Sequence, residues 1–201
     1  WKDDALGKYF WYYGRTIRQR NAMISLDLLP SFYALSPNYG NPEIDVIDDY
    51  ERGNLPSEAK NIFEVLVKYK RLDSIALRRE AGLSSRENAS RFERAIQILQ
   101  AQFRIFPVGI AEAGSWHYAF IYGLPHHTYP DLLEQARHIT EQEARISILR
   151  KYIKSVGVVT LKEIHRLLQW PFLKIRSAIE AINLDDKSVF IIENQKVENS
   201  T

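Results

Sequence analysis

Apolar positions along this chain change their period partway, and the change marks its elements. Ala59, Ile62, Phe63, Leu66 and Val67 recur at helical spacing, which predicts a helix with Ser57 as N-cap. Arg71, Leu72 and Asp73 form a short link to Ser74, the expected cap of a second helix over 75–81. Gly82 ends that helix, since glycine takes the left-handed C′ conformation without a Cβ clash. Leu83, Ser84 and Ser85 then make a tight turn into a third helix over 86–102, whose apolar stripe is Phe92, Ile96, Leu99 and Phe103. After it the period falls from 3.6 to 2. Segments 104–110 and 116–122 predict two strands joined by 111–115, with Trp116, Tyr118, Phe120 and Tyr122 on one face. Helix, link, helix, turn, helix and hairpin is the order of a winged helix.

A second, similar run follows. Ile146, Leu149, Tyr152 and Ile153 mark a helix, Val158 and Val159 a short strand, and Thr160 the cap of a helix to about Gln169. Pro171 opens another helix to Ile182, and 188–193 starts a shorter wing. Eight positions separate Leu66 from Ser74 and also Tyr152 from Thr160, so the two runs share an interval. Upstream, Tyr9, Phe10, Trp11, Tyr12 and Tyr13 form an aromatic run. Ser25 is the expected cap of a short helix over 26–35 that contains Pro30. Segment 36–54 reads as a loop holding a short acidic helix. The expected fold is mainly α with small β-hairpins (α+β), built of tandem winged-helix modules. Residues 1–56 form an N-terminal partner layer or the remnant of a further module. Residues 57–125 are the first winged helix, 126–138 a connecting helix or linker, and 139–201 the second winged helix.

Composition bounds the function. A content of 45% hydrophobic and 26% charged residues is ordinary for a globular chain. No apolar run approaches the roughly 18 residues of a membrane span, and no signal-peptide pattern is present. The first residue is Trp rather than Met, which leaves room for an upstream segment. Absence of cysteine removes disulfides, thiolate zinc sites and thiol nucleophiles, and fits a reducing cytoplasm. The net charge of +2 is distributed unevenly: −2 over 1–56, +3 over 57–125 and +1 over 126–201. The middle of the chain is its basic part.

Candidate chemistry concentrates there. On the third helix Arg86, Ser90, Arg94 and Gln97 form one column opposite the apolar stripe, with Arg91 at its edge. Arg and Gln suit bidentate contacts to base edges, and Ser and Arg also reach phosphates. A solvated helix face would look the same, and Glu87 and Glu93 nearby fit that reading. Arg78 and Arg79 on the preceding helix are candidate phosphate contacts, and His117 in the wing a candidate backbone or stacking contact. The aromatic row beside His117 reads equally as core. No metal site is expected: His126 and His127 are neighbours without a carboxylate at ligand spacing, and His138 and His165 are isolated. No cofactor motif is present. Gln100 and Gln102 diverge by about 200° if helical but share a side if extended. In the extended case they could hold a water or a sugar-phosphate without a titratable group.

Several segments together resemble the AlkZ-related proteins, relatives of bacterial winged-helix DNA glycosylases that act on alkylated bases and interstrand crosslinks. They are Trp1-Lys2-Asp3, the stretch Ile24 through Leu35, Leu72 through Arg79, and Ser90 through Ala95 leading to Leu99-Gln100-Ala101-Gln102. The resemblance covers most of the chain and is least distinct after about residue 140. It implies tandem winged helices, a double-stranded DNA partner, intact or damaged, and a bacterial cytoplasmic setting. In the glycosylases a Gln-x-Gln or Gln-x-Asp pair positions the water that attacks the sugar carbon, which carries a catalytic role to Gln100 and Gln102. The expected function is therefore DNA binding in the repair of alkylated or crosslinked DNA. An active monofunctional glycosylase and a non-catalytic protein–protein interaction module are the alternatives.

Overall fold

The computed structural model describes residue 8 and residues 10–38, 40–112 and 118–185. They fall into two compact units, Trp1–Ile139 and Thr140–Thr201. The protein is mainly helical with small antiparallel hairpins, as the periodicity predicts.

The first unit opens with a hairpin, β1 (Trp11–Ile17) and β2 (Arg20–Ser25), paired from Trp11↔Ser25 to Ile17↔Arg20. Its turn residues, Arg18 and Gln19, both have positive φ, the conformation a two-residue hairpin turn demands. The aromatic run is thus a strand. Tyr12 and Tyr13 are both buried because β1 packs on both faces. Tyr12 stacks on Phe106 at 4.8 Å, while Tyr13 faces Phe120 at 6.4 Å. The expected helix over 26–35 shortens to α1 (Leu29–Ala34), because Ser25 is held in β2 and Pro30 fits only the first turn. Helix α2 (Pro42–Glu51) follows, capped by Asn41, whose side chain accepts the Ile44 N–H.

Next come α3 (Ser57–Tyr69), β3 (Arg71–Asp73), α4 (Ser74–Glu80), a 3-10 turn (Arg86–Asn88), α5 (Ala89–Ala101), β4 (Phe106–Ala111) and β5 (Ala119–Gly123). The three strands form an antiparallel sheet in the order β3-β5-β4, so the supposed link 71–73 is a strand on β5. Two capping assignments move by one residue. Ser57 lies inside α3 after Pro56, and Asp73 caps α4 by accepting the Ile75 and Ala76 N–H groups at 2.9 and 3.0 Å. Gly82 sits at φ +72° just past α4, where sequence placed it. Leu66, Leu77, Ile96, Leu99 and Tyr122 belong to one core shared by these helices and the sheet. A second core joins Tyr12, Tyr33, Phe103 and Phe106 to α7 (Leu132–Arg137), which follows the short α6 (Pro125–Thr128). The N-terminal segment therefore shares its core with the segments that follow it. The tip of the β4–β5 hairpin, with Trp116 and His117, lies outside the described residues.

The second unit holds α8 (Glu141–Val156), α9 (Leu161–Leu168) and α10 (Phe172–Asp185) around Leu149, Ile153, Ile164, Ile175 and Ile182. Capping boxes start two of them, Thr140 with Glu143 and Thr160 with Glu163. Val158 and Val159 are not a strand: they lead directly into the Thr160 cap, with Val158 in solvent and Val159 in the core. The expected second wing, 188–193, lies outside the described residues.

Candidate nucleic-acid interface

Helices α4 and α5 are joined by a turn that Arg78 locks. Its guanidinium donates to the carbonyls of Leu83, at 2.7 Å, and Ser85. Arg78 thus supports the turn from within, while Arg79 points to solvent and pairs with its neighbour Glu80 at 3.3 Å. Arg86 is exposed, but it stands in the 3-10 turn rather than on the α-helix, so it leaves the predicted column. Ser90, Arg91 and Arg94 are exposed on α5, and Gln97 is half-buried. Arg91 pairs with Glu58 at 3.5 Å, and Glu93 with Arg15 of β1 at 3.7 Å. Arg86 and Arg94 have no ion-pair partner among the described residues. Arg91 and Arg94 line a cleft of about 480 Å³ whose other wall includes Asn54, Pro56 and Glu58. Tyr118, Phe120 and Tyr122 run in a row along β5, 5.5 and 6.3 Å apart, from a half-exposed ring to a buried one. The inner end of that row is core.

The two glutamines part company. Helix α5 continues to Ala101, so Gln100 and Gln102 are two helical positions apart and their amides diverge. Gln100 is only 2% exposed, and its Oε1 accepts the Arg15 N–H at 2.9 Å, tying β1 to α5. Gln102 is the C-cap residue. Its carbonyl accepts from Asn38 Nδ2 at 2.8 Å, while its buried Oε1 has no partner among the described residues. The geometry does not bring the two side chains to one reacting centre.

Three features escaped the linear reading. Arg104 is buried against Asp49 of α2, with Nε and Nη1 unpartnered among the described residues. Burial pulls its pKa down, and the Asp49 carboxylate offsets part of that. Asn38, also buried, links Ser36 to the end of α5. Last, His126 and His127, read as lacking a carboxylate partner, meet Glu43 of α2. Burial pushes the His126 pKa down to about 4, with adjacent His127 adding to the shift. Spacing could not reveal this meeting, since 83 positions separate Glu43 from His126.

A family model described as AlkZ related matches residues 1–169, the whole first unit and the start of the second. Comparison with curated proteins and with solved structures gives no match. No helix among the described residues is long and apolar enough to cross a membrane.

Proposed function

Since this chain belongs to the AlkZ-related family, we propose that it binds double-stranded DNA through a winged-helix module, in the repair of alkylated or crosslinked bases. The module comprises α3, β3, α4, α5, β4 and β5. The observation that carries the reading is a third helix that is solvent-facing at Ser90, Arg91 and Arg94 and is followed by a hairpin that joins a sheet in the order β3-β5-β4. In such modules the third helix enters the major groove and the hairpin follows the backbone. Arg94 and Gln97 then address base edges, while Ser90, Arg91, Arg86 and Arg79 contact phosphates. Arg78 acts indirectly, by holding the turn that aims α5. The three helices of the second unit supply a second module of the same kind.

The test is duplex affinity at two salt concentrations, on intact, abasic and alkylated DNA, with base release followed in the same tubes. Each phosphate contact steepens the salt dependence, so affinity should fall steeply between low and physiological salt. Arg91→Glu with Arg94→Glu should abolish binding while lowering the unfolding temperature only slightly, since the Arg91–Glu58 pair it breaks is largely exposed and worth about 1 kcal/mol or less. Binding that survives the double substitution would place the interface elsewhere. Failure of the unaltered protein to bind any duplex would favour an interaction module instead.

A further inference from the structure

Two imidazoles and a carboxylate converge where the start of α2 meets α6. Glu43 occupies the first turn of α2 and is exposed; His126, half-buried, and His127, exposed, are consecutive on α6. One donor atom from each lies within 4.8 Å of the others. We propose that Glu43, His126 and His127 bind a divalent transition-metal ion of the zinc class, with one coordination position left for water.

The donor set selects the ion. Two neutral imidazole nitrogens and one carboxylate oxygen suit borderline ions such as Zn²⁺, whereas Mg²⁺ and Ca²⁺ take oxygen shells. Metal–ligand bonds of about 2.0–2.2 Å around a tetrahedron put donor atoms roughly 3.3–3.6 Å apart. Closing from within 4.8 Å to that spacing requires each side chain to move by about an ångström. Side-chain rotation alone covers that distance.

Nothing holds the three groups back. Among the described residues none of them has a hydrogen-bond or ion-pair partner, and the two imidazoles meet edge to face at 4.5 Å. The other two described histidines are already engaged, His138 with Glu134 at 2.9 Å and His165 with the Trp170 carbonyl at 2.7 Å. The backbone under the ligands, by contrast, is fixed. Asn41 caps α2 two residues before Glu43, accepting the Ile44 N–H at 3.3 Å. Buried Pro125 opens α6, and the Leu124 carbonyl accepts the His127 N–H at 3.2 Å and the Thr128 hydroxyl at 3.3 Å. Side chains without polar partners on anchored helix starts are what a three-ligand site needs, since among the described residues binding breaks no hydrogen bond or ion pair.

The experiment uses the full chain, freed of any affinity tag and treated with chelator, then titrated with Zn²⁺ by calorimetry. One ion per chain is expected. Glu43→Gln, His126→Gln and His127→Gln should each weaken binding by at least tenfold, since even loss of a group behind a ligand costs about 10–100-fold. His138→Gln should leave binding unchanged. Co²⁺ gives an independent readout: its ligand-field absorption should appear with the unaltered protein and be lost in the three variants. Unfolding temperatures without metal report whether each variant folds. No uptake, one ion shared between two chains, or a loss in His138→Gln equal to that in the three variants would overturn the assignment.

Discussion

Gln100 is where a structural and a catalytic role can be told apart by experiment. Its Oε1 accepts the Arg15 N–H at 2.9 Å, and the side chain is almost wholly enclosed. Gln100→Met keeps the side-chain length and removes the acceptor, leaving an N–H unsatisfied, at a cost of about 1–3 kcal/mol. Gln100→Ala adds lost packing at about 0.8 kcal/mol per methylene, for a total of roughly 2–4 kcal/mol. At about 2–4 °C per kcal/mol for a chain of this size, Gln100→Ala should lower the unfolding temperature by roughly 5–15 °C, and Gln100→Met by less. A Cβ placed on Gly14 would meet Oε1 of Gln100 at 3.2 Å. Gly14→Ala should therefore destabilise the unaltered protein more than it destabilises Gln100→Ala, a coupling that a double-mutant cycle measures. The assay is thermal and urea unfolding followed by circular dichroism, with base release from alkylated duplex measured on the same samples. Unchanged unfolding in Gln100→Met and Gln100→Ala, with base release abolished, would refute the strut and restore a catalytic amide.

Asp49→Ala leaves Arg104 buried without its carboxylate and should cost about 3–5 kcal/mol in urea unfolding, with Arg104→Met in the same chain recovering much of it. His126, held near 4 in the fold against an ordinary value of 6.5, binds fewer protons folded than unfolded between those pH values. The metal-free protein should therefore lose stability as pH falls from about 6.5 to 4, by about 1–2 kcal/mol once solvent screening of this half-buried ring is allowed for. His126→Gln should flatten that part of the pH profile. The Arg15 amide should exchange slowly with solvent, and duplex DNA should leave its protection unchanged when binding uses only the outer face of α5.

The helices and the main hairpin were legible because their apolar positions repeat with the period of the element. Elements without a period of their own were not. Strand β1 is buried on both faces, so Tyr12 and Tyr13 give a continuous aromatic run rather than an alternation. Strand β3 has three residues, too few to show a period, and exists because Leu72 pairs opposite Tyr122. The end of α5 lacks the usual glycine. Phe103 takes φ +56° there, a conformation that costs a non-glycine residue roughly 1–2 kcal/mol. Ring contacts with Tyr12 at 5.3 Å and Phe32 at 5.9 Å offset the cost, and those contacts are tertiary. The basic column was visible as a wheel, but not that Arg78 would turn inward or that Arg91 would face Glu58. The Glu43–His126–His127 cluster depends wholly on how α2 meets α6.

Helix α5 divides its two candidate activities between different faces. At 100° per residue, Arg94 and Gln100 are about 120° apart around the axis, one toward solvent and the other beneath β1. A duplex lying along Arg94 cannot touch Gln100 unless the β1–β2 hairpin lifts. Lifting it breaks the Arg15–Gln100 bond and uncovers Tyr12, which has no exposed surface and sits against Phe103 and Phe106. An aromatic side chain of about 150–250 Å² at 25 cal/mol/Å² makes that step cost roughly 4–6 kcal/mol for Tyr12 alone. At 1.4 kcal/mol per tenfold, the open form is then present at about one part in a thousand or less. Damaged DNA would have to supply that energy in contacts made only to the open form. In the closed geometry the proposed DNA-reading face of α5 and the enclosed Gln100 therefore lie on different sides of the helix, and base release would require the open form.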